Sequence, residues 1–217
     1  MSAGQRENTT DELGERVIVS ELELMEKAQA ELSPARFEHT KGVVEAAERL
    51  ARRFGVDVTK ARVAAWIHDI AREWPQERLA QVAEQVEIPA GFALIPAILH
   101  GPIAAHLAAE WFDIDDENIQ NAVRYHTTGR VGMSDLEKVV FLADAIERGR
   151  NYPGVEKIRA LAEQDLNLAL AESFDNTILY LVQTHQPIFP LTVMARNELW
   201  EQVTATQASE THHLNHE

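Results

Sequence analysis

Ala65-Trp66-Ile67-His68-Asp69-Ile70-Ala71-Arg72 sets an imidazole and a carboxylate side by side in an otherwise apolar run. Ala61, Ala64 and Ala65 precede His68 at helical spacing, which predicts a helix over about 60–71 with His68 on its inner face. Neighbours on a helix point about 100° apart, so both side chains of the pair can meet one ion held beside the helix. Asp69 has two oxygens and can also reach a second ion. A His-Asp dipeptide is common in proteins; its weight comes from the pattern around it.

The helical period extends in both directions. Ser33-Pro34 opens a helix, with serine as N-cap and proline at the first helical position, that runs to about Phe54 and stops at Gly55. Val43, Ala46, Ala47, Leu50 and Phe54 form its inner stripe, and His39 lies four residues before Val43 on that stripe. Further helices are predicted near 75–86, 101–112, 116–126, 135–147, 155–163, 165–184 and 191–203. Ser134 and Glu137 fit a capping box at the start of one of them. Pro75, Pro89, Gly91, Gly129, Gly132, Pro153, Gly154, Pro187 and Pro190 mark the joints. With no alternating strand pattern of useful length and no internal repeat, the expected fold is one all-α domain over residues 20–203.

Polar residues recur where core residues belong. His100 precedes Ile103, Ala104, Leu107 and Trp111 on one face; His126 follows Ile119, Ala122 and Val123; Asp144 follows Val140 by one turn. A lone histidine on an apolar face is usually a core histidine with one hydrogen-bond partner. Such placements on five helices resist that reading, because each buried imidazole or carboxylate costs several kcal/mol unless paired or ligated. A shared metal centre removes all of these costs together.

Composition narrows the chemistry. The 217 residues, 45% of them hydrophobic, suffice for one domain of full size with tails. There is no cysteine, which excludes disulfides and thiol catalysis, and nine histidines remain, so a metal must be held by nitrogen and oxygen. A net charge of -15 argues against a broad nucleic-acid or membrane surface, while a few arginines can still focus on a small anionic ligand. Residues 1–19 read as a flexible extension without the apolar centre of a signal peptide. Residues 204–217 read as a flexible tail, in which no apolar pattern anchors His212, His213 and His216. The longest apolar run, about 92–99, is broken by Pro96 and falls well short of the ~20 residues that span a bilayer. The expected location is the cytoplasm.

Several strings go beyond periodicity. Phe37-Glu38-His39-Thr40, the stretch 65–72, Leu99-His100-Gly101-Pro102, Tyr125-His126-Thr127-Thr128-Gly129 and Leu142-Ala143-Asp144 closely resemble the bacterial HD-domain hydrolases called YqeK-like. The resemblance continues through Tyr152-Pro153-Gly154-Val155, Phe174-Asp175-Asn176-Thr177 and Pro190-Leu191-Thr192, and covers roughly residues 20–200. It implies symmetrical hydrolysis of dinucleoside tetraphosphates, chiefly diadenosine tetraphosphate, to two ADP, with a two-metal centre that is usually iron. The chain departs from the family's Glu-Pro-x-Arg run after Asp144: Glu147 and Arg150 match, but Arg148 stands where proline is expected.

By this resemblance His39, His68, Asp69 and Asp144 hold the first metal, and His100 and His126 hold the second with Asp69 bridging. Ligands of nitrogen and oxygen suit a pair of first-row ions such as iron, manganese or cobalt better than one tetrahedral zinc; the resemblance implies a divalent or mixed-valence pair with iron foremost. Asp69, His100, His126 and Arg72 form the expected catalytic set. Arg72, one turn after the His-Asp pair, could bind phosphate oxygens; Thr127 and Gly129 could offer a hydroxyl and a backbone N–H; Arg150 could hold nucleotide phosphates or stack on the base. The expected partners are a dinucleoside polyphosphate or ADP, with no nucleic acid or membrane, and a homodimer stays open. Competing readings are another HD-domain nucleotide phosphohydrolase, a non-catalytic nucleotide-sensing metal protein and, from the ligands alone, a di-iron oxygenase.

Overall fold

The computed structural model describes residues 19–214, with side chains through 208. The expected extension 1–19 therefore lies almost wholly outside the described residues, as do the side chains of His212, His213 and His216. Among the described residues there are ten α-helices and no strand, so the all-α expectation holds. In chain order they are α1 (Glu21–Glu31), α2 (Pro34–Phe54), α3 (Val58–Ile67), α4 (Gln76–Ala83), α5 (His100–Phe112), α6 (Glu117–Arg124), α7 (Asp135–Ile146), α8 (Val155–Ala162), α9 (Leu166–Gln183) and α10 (Pro190–Leu214).

Local chemistry sets the boundaries. Ser33 caps α2 by accepting the Arg36 N–H, Pro34 occupies its first turn, and Gly55 ends it in the left-handed region at φ 69°. Ser134 and Glu137 cap α7 reciprocally. Ser20 and Glu23 do the same for α1, a helix absent from the sequence-based set. Tight turns at 92–94 and 96–98 replace any longer element between α4 and α5.

The helices that matter for the site pack through small residues. α2 lies against α3 and α7, and α6 against α3, α5 and α7, while α9 joins α7 to α8 and α10. Ala47 and Ala51 of α2, Ala61, Ala64 and Ala65 of α3, Ala104 of α5, Ala122 of α6 and Ala143 of α7 are fully buried. Alanine contacts let the helix axes approach closely, so side chains from five segments can meet at one point. Farther out, Phe141 stacks on Phe174 at 4.4 Å between ring centroids, fixing α7 on α9.

Two expectations change. Helix α3 stops at Ile67, and residues 68–73 form consecutive turns, with Ile70 N–H bonded to Ile67 and Arg72 N–H to Asp69. The His68-Asp69 pair therefore sits in the exit turn of α3 and not within the helix. At the other end α10 continues through Leu214, so the backbone of most of the expected tail is helical. Among its described side chains the last buried one is Val203, and residues 204–208 are exposed.

Candidate metal centre

Five segments deliver six metal-competent side chains to one buried point. His39 comes from the second turn of α2, His68 and Asp69 from the exit turn of α3, His100 from the first residue of α5, His126 from the turn after α6, and Asp144 from the last turns of α7. His68, Asp69, His100 and His126 are at most 3% exposed. Three overlapping groups have ligand atoms within 4.8 Å of one another: His39, His68 and Asp69; His68, His126 and Asp144; and Asp69, His100 and His126.

Asp69 is the centre of this arrangement. Its Oδ2 lies 3.4 Å from His68 Nε2 and 3.8 Å from His39 Nε2, while its Oδ1 lies 3.3 Å from His100 Nε2 and 3.5 Å from His126 Nε2. One oxygen thus faces the His39 side and the other the His100 side. His39 Nε2 also approaches Asp144 Oδ1 at 3.0 Å. The Nε2 atoms of His39 and His68 are buried and have no hydrogen-bond partner, so their approaches to the carboxylates lack hydrogen-bond alignment. Unpartnered buried nitrogens aimed at two carboxylates are what a nitrogen–oxygen metal site leaves when described by its protein atoms alone. The donor set therefore fits the metal that the sequence implies.

The far side of each ring is fixed. Nδ1 of His68, His126 and His100 meets the carbonyl three residues earlier, at Ala65 (2.6 Å), Val123 (2.7 Å) and Ala97 (3.1 Å). Such contacts leave Nε2 as the coordinating nitrogen. Nδ1 of His39 instead meets Glu147 Oε1 at 3.1 Å.

The electrostatics follow from burial and charge. Burial pushes the His100 imidazole down to about 4, against the pull of Asp69, so it is neutral at physiological pH and fit to ligate. Burial alone would raise both carboxyls. His68, with hydrogen bonds from His100 and His126, instead holds Asp69 well below the usual carboxylate range; His39 and the Arg150 guanidinium do the same for Asp144.

The proposed substrate contacts divide. Thr127 has a buried hydroxyl with no partner, available to a ligand. Arg72 is exposed, and its Nη1 donates to the Ala97 carbonyl at 2.6 Å, 3.2 Å from His100 Nδ1. It therefore supports the His100 turn with one nitrogen. Arg150 donates from Nε to the Asp144 carbonyl at 2.8 Å and from Nη2 to its carboxylate. Gly129 differs from the expectation: its N–H is already committed to the Tyr125 carbonyl at 2.8 Å, and its Cα faces the Phe174 ring. Arg130 makes a two-point pair with the buried Glu137 at 2.6 and 2.9 Å. Arg148, the residue in place of the family's proline, pairs with Glu45 at 3.2 Å on the exposed face and touches none of the candidate ligands.

Sequence reasoning missed two residues. Arg36 places Nη1 3.0 Å from Asp69 Oδ2. Its signal was the i, i+3 spacing to His39, which puts both on one helix face. Glu147 entered as a motif match without a role, yet it is 4% exposed and touches His39.

Residues 36–149 match the family model described as HD domain. Over 170 residues the chain is 44% identical to a Bacillus subtilis (strain 168) protein named bis(5'-nucleosyl)-tetraphosphatase, symmetrical, a match that covers 78% of this chain and 91% of the relative. A Staphylococcus aureus (strain NCTC 8325 / PS 47) protein of the same name is 34% identical over 175 residues, covering 78% and 89% of the two chains. A crystal structure from Clostridium acetobutylicum, described as a predicted HD superfamily hydrolase involved in NAD metabolism, matches with a TM-score of 0.80 and 37% identity, over 85% of this chain and 99% of that one. The His-Asp pair, the clustered imidazoles and these matches agree: the chain belongs to the HD-domain family, in its YqeK-like branch.

Proposed function

We propose that this protein hydrolyses diadenosine tetraphosphate symmetrically to two ADP. The carrying observation is the division of Asp69, whose two oxygens face His39 with His68 on one side and His100 with His126 on the other. That geometry supports two adjacent cations, which suits phosphoryl chemistry. The relatives named symmetrical bis(5'-nucleosyl)-tetraphosphatase supply the substrate class.

His39, His68, Asp69 and Asp144 would hold one ion, and His100 and His126, with Asp69 shared, the other. The group Asp144, His68 and His126 crosses between the two sets, consistent with neighbouring ions. The YqeK-like resemblance supports iron, with manganese or cobalt able to use the same nitrogen–oxygen donors. When bound, such ions activate water and neutralise charge on a phosphoryl group.

The chain's own residues do the rest. Asp144 and Asp69, held ionised, contribute negative charge to the site, and neutral His100 offers a lone pair. Thr127 can donate its free hydroxyl to a phosphate oxygen. Arg72 and Arg36 place guanidinium groups beside the cluster, where polyphosphate charge must be met. The water oxygen joins one inner phosphorus, the bond from that phosphorus to the central bridging oxygen breaks, and the bridging oxygen leaves with the second ADP. The proposed location of this reaction is the cytoplasm.

Product analysis tests the reading. Protein is incubated under reducing conditions with iron or manganese and with diadenosine tetraphosphate or a panel of mononucleotides. ADP from the dinucleotide, with little release from mononucleotides, is the expected result. Preferred turnover of a mononucleotide would replace it with another HD-domain nucleotidase activity.

A further inference from the structure

The four histidines that turn Nε2 toward Asp69 are held from behind in two different ways. His68, His100 and His126 stand at helix ends or turns, where Nδ1 meets the carbonyl three residues earlier. His39 stands inside α2, where backbone carbonyls serve the helix ladder and the Arg36 carbonyl also receives the Thr40 hydroxyl at 3.1 Å. Its Nδ1 meets a side chain and not a backbone carbonyl: Glu147 Oε1 lies 3.1 Å away.

The chain is built around that carboxylate. A Cβ on Gly42, one turn beyond His39, would fall 2.5 Å from Glu147 Oε2, and a Cβ on Gly149 would fall 2.9 Å from Oε1. Two glycines thus leave the space the carboxylate fills. Gly149 N–H donates to Oε2, and Arg159 Nη2 donates to the Glu147 carbonyl at 2.7 Å and the Arg150 carbonyl at 2.9 Å, pinning the turn.

We propose that Glu147 is a positioning residue of the metal centre: it accepts the Nδ1–H of His39 and thereby fixes the ring orientation and tautomer that present Nε2 to the metal. The proposal rests on the metal-centre reading above and adds a residue to it.

Titration of metal-free protein with Mn²⁺ by calorimetry, with melting of the metal-free form measured in parallel, tests it. E147A should weaken the tighter binding event by about 10–100-fold. E147Q fits the same glycine cage and keeps an acceptor oxygen, so it should regain most of that loss. H68A, which removes a proposed ligand, is the control. Loss of binding in H68A with E147A within about two-fold of the unsubstituted protein overturns the role of Glu147 alone. Equal binding, or none, in the unsubstituted protein and H68A overturns the metal-centre reading and the proposal with it. If E147A does not fold, the unsubstituted protein still decides. In zinc-loaded protein, long-range proton–nitrogen NMR should show the His39 proton on Nδ1; a His39 coordinated through Nδ1 overturns the proposal.

Discussion

Arg150 grips Asp144 at two points, donating from Nε to its carbonyl at 2.8 Å and from Nη2 to its carboxylate. Sequence alone suggests an arginine that holds substrate phosphates, so that its loss would leave metal content unchanged. The structure ties it to a candidate ligand. R150A should lower kcat/KM by about 10–100-fold, about 1.4–2.8 kcal/mol, and should also lower metal occupancy. Metal analysis of the purified variant beside steady-state kinetics checks both. Full occupancy with an effect confined to KM would assign Arg150 to the substrate alone.

Asp69 faces four imidazoles and the Arg36 guanidinium. D69A should abolish turnover and lower metal content at both positions, because one side chain serves both. D69N keeps the shape and removes the charge, so it should bind metal more weakly than the unsubstituted protein while remaining folded. Near-normal turnover with full occupancy in D69A would remove Asp69 from the centre.

The Thr127 hydroxyl is buried without a partner. T127V exchanges it for a methyl group of similar size. Removing an unsatisfied polar group is neutral or slightly stabilising, so the melting temperature should hold or rise. If the hydroxyl meets a phosphate oxygen, KM for diadenosine tetraphosphate should rise by about 3–10-fold. An unchanged KM assigns the hydroxyl to packing.

Much of this was legible in the sequence because helices announce themselves locally. Ser33-Pro34 and Gly55 bound α2, and Ser134 with Glu137 opens α7, as the spacing predicts. The candidate ligands were legible as polar residues in apolar stripes. Helix α1 escaped because only Leu24 and Ala28 of its eleven residues are buried, although Ser20 and Glu23 carried a capping box. The exit turn holding His68 and Asp69 looked helical because an α-helical stripe cannot reveal the residue at which the ladder stops. Arg36 and Glu147 were hidden for another reason: their partners lie 33 and 108 residues away, and no local period encodes a contact across that distance.

Gly129 illustrates a residue whose motif membership has a packing cause. Its φ is +61°, and a Cβ there would fall 2.4 Å from Cζ of Phe174. G129A combines left-handed strain with overpacking and should destabilise the fold by about 2–4 kcal/mol. Thermal or denaturant unfolding measures this directly. A folded G129A of normal stability with a raised KM would instead favour a substrate contact.

The bond that breaks separates symmetrical from asymmetrical cleavage. The inner phosphorus atoms of diadenosine tetraphosphate are equivalent, and attack at either that expels the central bridging oxygen yields two ADP. Attack at an outer phosphorus, or attack at an inner one that expels AMP, yields AMP and ATP. Spacing among the candidate ligands does not choose between these outcomes; the likeness to relatives named symmetrical does. Hydrolysis in water labelled with oxygen-18 should give two ADP per substrate, one of them carrying a single label on its terminal phosphate. The second ADP retains the unlabelled bridging oxygen. Mass spectrometry of the early products reads this, and AMP with ATP as the first pair would sink the symmetrical reaction while leaving a metal-dependent hydrolase in place.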